Sequence, residues 1–540
     1  MKYINRILAT VIAGVALTGC NDLDTEYLGY YVTEDQKADV LESNPEMALA
    51  GVTGIAATGN MYGSVYDDAH FDFGYPAIML GLDMQGNDML QPDVSYGVHF
   101  NYWYRYTSPT NTGIPTNMMW RIMYKMIFSS NAVLSTISSD TENETLQFYR
   151  AQALGFRAFC YWNLIQTYQF NYVGNESAAG VPIITEENQL EAATNGCARN
   201  TVQEVYDRIL DDLNEAVTLS QASGLTAEQL MESKPKRLLN IDALYGLRAR
   251  VYLTMHKYAE AANDARSAIQ ASTHTPLTIA QASVPGFNDI SANNWMWGVA
   301  VAETDRVVTT GICNFPSMSC SFAYGYITVG AWKIGSRNMV EALPLTDVRR
   351  GWFLDENFES PILTDRQTAY LQSYGTSGSD TSIYPYLNVK FDSYQSILSQ
   401  STNASDIPLM RIEEMYYILA EGLAMSGNTT EALSVLTDFE TKYRNPEFST
   451  RATTPAEIQE LVYSRRRVEL WGEGLSYFDL QRLNKTIDRR NDNFPDAVTY
   501  VIPANDDIRI YVIPQRETTA NKLISVDEAN PAGVSPLPQK

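Results

Sequence analysis

The densest set of chemically capable side chains is VSYGVHFNYWYRYTS, residues 94–108. It holds Tyr96, Tyr102, Trp103 and Tyr104, with Asn101 and Arg105 interleaved. Flat rings suit the C–H faces of pyranose sugars, and amide or guanidinium groups suit the hydroxyls at the edges. Trp103 is the first candidate platform, and the other five complete the candidate ligand set. The alternative is strand alternation, which would turn half of these rings into a core. A second candidate wall is NFPSMSCSFAYGYITVGAW, residues 314–332, through Phe315 and Tyr326, with Tyr324 and Trp332 beside them. Trp295 and Trp297, in NNWMWGVAVAE (293–303), have the same parity and are expected on a buried strand face.

Bond-breaking chemistry has no comparable signature. The four histidines, His70, His99, His256 and His274, form no close metal-binding pair. No nucleophile elbow, phosphate-cradling loop or dinucleotide fingerprint occurs. No catalytic residue, cofactor or metal is therefore assigned. Glycoside hydrolysis needs only two well-placed carboxylates, and 63 acidic residues leave that alternative open. Asn87 to Met89 (NDM), with Asp83 and Asp93 nearby, has oxygen-rich chemistry of the kind calcium takes. Turn-forming Asn and Asp side chains are the simpler reading. Cys160 falls in a helical pattern and reads as a small buried residue. Cys313 and Cys320 could pair across a loop if the chain is exported.

The N-terminus speaks to export. Lys2 and Arg6 precede an apolar run, Ile7 to Leu17, that is too short to span a bilayer. Leu17-Thr18-Gly19-Cys20 resembles a bacterial lipobox. The resemblance implies a signal peptide over 1–19, lipidation of Cys20, and a tether over 20–33. Acyl chains would then anchor the protein without a spanning helix. The formal net charge of -24 makes nucleic acid a poor partner.

Helices must position the aromatic loops. Apolar residues recur three and four apart near 34–58, 116–138 and 144–170, and Asn200-Thr201 can cap a helix running to about Leu219. Ala249, Tyr252, Tyr258, Ala261 and Ala268 fall at tetratricopeptide offsets, as do Tyr416, Leu419, Ala420, Leu423, Ala432 and Leu436. A weaker match pairs Leu154, Ala158 and Tyr161 with Ile209, Leu213 and Ala216. These helix pairs are not in tandem, so non-repeat segments interrupt them. Residues 59–115 and 272–405 are rich in Gly, Pro, Ser, Asn and aromatics and read as loop-rich insertions that carry recognition. Short strands are expected at 499–503 and 511–514.

Three segments taken in order carry a family resemblance. They are IPLMRIEEMYYILAEGLA (407–424), RRRVELWGEGLSYFDLQRLNK (465–485) and YVIPQRETTANKLI (511–524). Asp347 and Arg349 in EALPLTDVRRGWF, and Lys390-Phe391 in NVKF, extend the match. The chain resembles the SusD/RagB family of outer-membrane nutrient-binding lipoproteins. Ser476, Leu483, Thr518 and Asn521-Lys522 depart from its usual pattern. The resemblance implies a mainly α fold, with four interrupted tetratricopeptide-type helix pairs, a loop-rich subdomain and few short strands, as one domain over 34–540. It also implies a surface-exposed, lipid-anchored binder of oligosaccharide on the outer membrane. Such a binder hands its cargo to a SusC-like TonB-dependent transporter and is not an enzyme. The motif charges themselves read as structural: Arg466 with Glu469, and Arg465 with Glu469, at helical i,i+3 and i,i+4 spacing. A surface glycoside hydrolase and a helix-repeat adaptor for proteins remain the alternatives, and peptide remains an alternative cargo.

Overall fold

The computed structural model describes residues 34–66, 69–92, 100–107 and 109–539. Cys20, the signal-peptide segment and the tether lie outside the described residues. The principal helices are α1 (Leu49–Thr58), α2 (Tyr75–Gln85), α3 (Ile114–Leu134), α4 (Glu144–Tyr168) and α5 (Val202–Ser223). They continue with α6 (Ile241–Thr254), α7 (Tyr258–Ala271), α8 (Ile412–Met425), α9 (Thr429–Tyr443), α10 (Pro455–Glu469) and α11 (Ser476–Arg482).

Local chemistry sets their ends. The Asn143 side chain caps α4 by accepting from the Thr145 and Leu146 N–H groups at 3.0 and 3.2 Å. Thr201 and Glu204 form a reciprocal capping box on α5, and Gly224 ends it in a left-handed conformation. The helices then stack in chain order. α1 packs on α3, α3 on α4, α4 on α5, α5 on α6, α6 on α7, α7 on α8 and α8 on α9. This gives the expected four helix pairs: α1/α3, α4/α5, α6/α7 and α8/α9. Small residues permit the close approach. A Cβ on Gly422 of α8 would lie 2.6 Å from the Tyr258 carbonyl oxygen of α7.

Strands are few and short. β1 (Met89–Leu90) pairs with β3 (Ile334–Gly335), β2 (Trp295–Val299) with β4 (Ile407–Arg411), and β5 (Ile487–Asp488) with β6 (Val501–Ile502), all antiparallel. β2 is bulged near Trp297, and both of its tryptophans are buried. Several expectations change. The helix expected over 34–58 breaks at Asn44-Pro45, because proline disfavours helical backbone in the residue before it. Residues 511–514 form no strand. They run extended across the helix ends, with the Tyr511 N–H on the Thr167 carbonyl at 2.7 Å. Cys313 and Cys320 are separate buried thiols, and the Cys320 Sγ lies 3.4 Å from the Phe391 carbonyl oxygen.

The family-like charges are structural, but not as local helix pairs. Glu469 instead meets three guanidinium groups from distant segments: Arg444 at 2.6 Å, Arg411 at 3.0 Å and Arg349 at 3.4 Å. Arg349 also binds Asp347 at 2.7 Å, Glu440 at 2.5 Å and the Tyr417 hydroxyl at 2.6 Å. Lys390 donates to Glu473 and to the Glu469 and Trp471 carbonyls, and burial lowers its ammonium to about 8. Arg466 reaches Asp479 and Glu414, while Arg465 approaches Asp347 at 3.9 Å. The loop around 347–390 is thereby tied to α8, α9 and α10 by fully desolvated pairs.

Asp83 and Asp88 are also engaged by protein groups. Asp88 accepts from Arg467 and from the Ser476 hydroxyl at 2.6 Å. Asp83 accepts from the Gly474 N–H at 2.9 Å, yet burial pushes its carboxyl up to about 7. Asp93 lies outside the described residues. A folded-state value above the unfolded one makes the native state bind this proton more tightly. Stability from Asp83 is therefore greatest at low pH, falls as pH rises between about 4 and 7, and its cost is full above 7. Asp83→Asn should raise the melting temperature by about 2–4 °C at pH 8 and by less at pH 5. Thermal melts of both proteins check this, and a lower melting temperature for the variant at both pH values contradicts it.

Candidate ligand-binding cleft

The cleft begins where α1 ends. The Tyr75 N–H returns to the Gly59 carbonyl at 2.6 Å, closing a loop over 60–74. Gly74 has φ +80°, and a Cβ there would meet the Gly59 oxygen at 2.3 Å. The neck of this loop requires glycine. Asp72, fully buried, shapes the loop from inside. Its carboxylate accepts from the Ser64 hydroxyl at 2.9 Å and from the Val65 and Tyr66 N–H groups at 2.6 and 2.8 Å. Of its aromatic residues, Tyr62 and Phe73 are buried, while Tyr66 and Phe71 stay half-buried.

Behind the loop lies an open cleft of about 430 Å³. Tyr62, Tyr75, Phe156, Phe159 and Trp297 supply aromatic lining, and Asn60, Ser233, Lys234, Arg237, Asp305 and Arg306 supply polar groups. The Arg306 guanidinium stacks over the Tyr62 ring, 5.2 Å from its centre. Within the loop, Tyr66 meets Phe71 edge to face at 5.5 Å, and Phe71 meets Tyr102 at 6.1 Å. His70, exposed, bonds the Tyr326 hydroxyl across from the second aromatic loop. Next to it Tyr324 is 49 % exposed. Its backbone is fixed, because Asn403 Nδ2 donates to the carbonyls of both Tyr324 and Gly311, at 2.9 and 3.0 Å. Rigid main chain and an outward ring make Tyr324 a candidate platform.

The sequence candidates divide. Tyr102 is half-buried beside Phe71, and Arg105 is half-buried. Trp103 is fully buried and presents no face to a ligand: residues 100–104 wind into a single π-helical turn that lays the indole on Gly81. Tyr104 is equally buried, under the Arg489 guanidinium at 4.9 Å. Phe315 is 4 % exposed and packs edge-on to Phe391. Tyr326 is 8 % exposed, and its hydroxyl bonds His70. Tyr96 and the Asn101 side chain lie outside the described residues. Sequence reasoning missed Tyr62, Tyr66, Phe71 and Arg237. The run YGSVYDDAHFDFGY (62–75) carried a usable signal, since an aspartate among closely spaced rings can nucleate a turn.

A stack of tetratricopeptide-type pairs with an aromatic cleft at its inserted loops defines a helical-repeat binding protein. Comparison with known proteins narrows this. Residues 84–253 match a SusD-like family described as starch-binding, associating with the outer membrane, and residues 324–540 match the SusD family. The chain belongs to the SusD/RagB family. SusD-like protein P38 of Formosa agariphila is 24% identical over 399 residues, covering 69% of this chain and 73% of that protein. A SusD-like carbohydrate-binding protein from Bacteroides vulgatus has the same fold, with a TM-score of 0.70 at 21% identity, over 88% of this chain and 96% of that one. The surface glycan-binding protein A of Bacteroides thetaiotaomicron, solved with laminarihexaose, superposes with a TM-score of 0.62 at 16% identity, over 88% and 98% of the two chains. The family is associated with the outer membrane, and among the described residues no helix is long and apolar enough to cross one.

Proposed function

We propose that the protein is a surface glycan-binding lipoprotein, anchored through Cys20, that captures an oligosaccharide and passes it to a SusC-like TonB-dependent transporter. The observation that carries this reading is the cleft lined by both aromatic and polar side chains, with the exposed ring of Tyr324 as a further candidate platform. The aromatic and polar groups of the lining together match the two halves of a sugar's surface. Family membership and the laminarihexaose complex of a structural neighbour support the ligand class. Support for a partner comes from the outer surface of α3 and the segment preceding α1, where Phe128 and Met47 are 65 % and 58 % exposed.

Binding without bond cleavage fits the carboxylates better than hydrolysis does. Asp305 is the acidic residue in the cleft lining, and one of its oxygens accepts the Ala302 N–H at 2.8 Å. A glycosidase needs a facing pair. Asp406, behind the lining, is held by Lys234 and by the Ile290 and Val301 N–H groups. Replacing Tyr324 with alanine should weaken glycan binding by about 1–3 kcal/mol, by analogy with aromatic stacking on other flat ligands. Calorimetric titration of wild type and variant tests this; an affinity within twofold of wild type places the platform elsewhere.

A further inference from the structure

The protein is strongly acidic, with a formal net charge of -24, yet its cleft is lined by Lys234, Arg237 and Arg306 against the single carboxylate of Asp305. The fold builds this local excess deliberately around Arg237. Lys234 takes a left-handed bend at φ +49° and starts a tight turn over Pro235–Arg237. The Trp297 indole N–H donates to the Arg237 carbonyl at 3.3 Å, fixing that turn against the cleft floor. The guanidinium is then steadied by backbone alone, Nε on the Lys234 carbonyl at 3.2 Å and Nη2 on the Ser233 carbonyl at 3.1 Å. Among the described residues no carboxylate pairs with Arg237, and its Nη1 has no protein acceptor. Other guanidinium groups in this molecule take carboxylates, as Arg248 does with Asp264 and Arg157 with Asp212, or backbone carbonyls alone, as the buried Arg489 does; Arg237 is set apart by its place in the cleft lining.

Lys234 does not fill that role, because Asp406 binds its ammonium at 2.6 Å. Arg306 stacks on Tyr62 and so offers its charge at the face of an aromatic ring. A partly desolvated guanidinium with a free edge matches a planar or tetrahedral oxyanion, which it can hold through paired N–H donors. The protein's overall negative charge does not forbid such a ligand, since exposed charges beyond about 8 Å are largely screened at physiological salt.

We infer that the cleft selects an anionic oligosaccharide, with a ring carboxylate or sulfate ester on Arg237 and a sugar face near Tyr62. This rests on the glycan-binding reading above and specifies its substrate class. The test is calorimetric titration of the full-length protein with three probes: an oligogalacturonate, a sulfated oligosaccharide and neutral laminarihexaose. The inference expects at least one anionic probe to bind at least tenfold more tightly than the neutral one at 50 mM salt. Its affinity should fall severalfold at 500 mM salt. Arg237→Gln should remove at least tenfold of that affinity, and Arg237→Lys should retain part of it. The carboxylate and sulfate arms identify which oxyanion fits. Tighter binding of the neutral probe overturns the inference and leaves the glycan-binding reading standing. Anionic binding that ignores both salt and Arg237→Gln also overturns it. Failure of all three probes overturns both. The salt titration of wild-type protein decides the matter even if the Arg237 variants fold poorly.

Discussion

Replacing Glu469 with alanine should destabilise the fold by about 3–5 kcal/mol, the cost of breaking a buried ion pair from one side. Glu469 is fully buried and receives Arg444, Arg411 and Arg349. Burial by itself would raise its carboxyl. Arg444, then Arg411 and Arg349, outweigh burial and hold it well below the usual carboxylate range. Without it, Arg444 keeps only the Glu413 carboxylate at 3.1 Å, and three buried cations crowd one another. A depressed carboxyl contributes stability above its unfolded value and loses that contribution as pH falls through its folded value. The wild-type advantage over Glu469→Ala should accordingly shrink in strong acid. Urea denaturation at pH 7 and at pH 3 measures both effects. A loss under 1 kcal/mol at pH 7 would mean that the arginines find other partners.

Trp103→Ala should cost about 3–5 kcal/mol of stability through the cavity it opens. The same substitution should leave glycan affinity within twofold once the protein is folded. The indole is wholly enclosed and lies so close over α2 that a Cβ on Gly81 would come within 2.6 Å of it. Its size is used to join the loop at 100–107 to the helix, so truncation removes packing and no ligand surface. Denaturation and titration on one preparation separate the two effects. Weakened binding with unchanged stability would return Trp103 to the role its sequence context suggests.

That contrast shows what the sequence can convey. Helix pairing was legible because small residues recur where helices touch: Ala261, Ala268 and Ala432 are all fully buried. The family motifs were legible as structure because charged residues in apolar helical runs must be paired. Their partners were not. Glu469 has suitable arginines three and four residues back on its own helix, yet the fold brings Arg349, Arg411 and Arg444 to it from far away in sequence. The site was legible by region and not by residue. Each aromatic loop leaves one ring at least partly exposed, Tyr102 in the first and Tyr324 in the second. In each, however, ring orientation follows from non-periodic backbone, a π-helical turn at 100–104 and a short helical turn over Tyr326–Val329, so parity could not separate Tyr324 from Tyr326 or Tyr102 from Tyr104. Arg237 carried no local signal, since its placement depends on Trp297, which is distant in sequence.

The central claim is that this family member holds a glycan in the aromatic cleft and leaves its bonds intact. The most direct measurement is titration of the full-length protein with a panel of oligosaccharides, with reducing ends assayed in the same mixtures. The account predicts saturable binding of at least one glycan and no release of reducing ends over hours. Release of new reducing ends, or binding of peptides with no glycan bound, would contradict it.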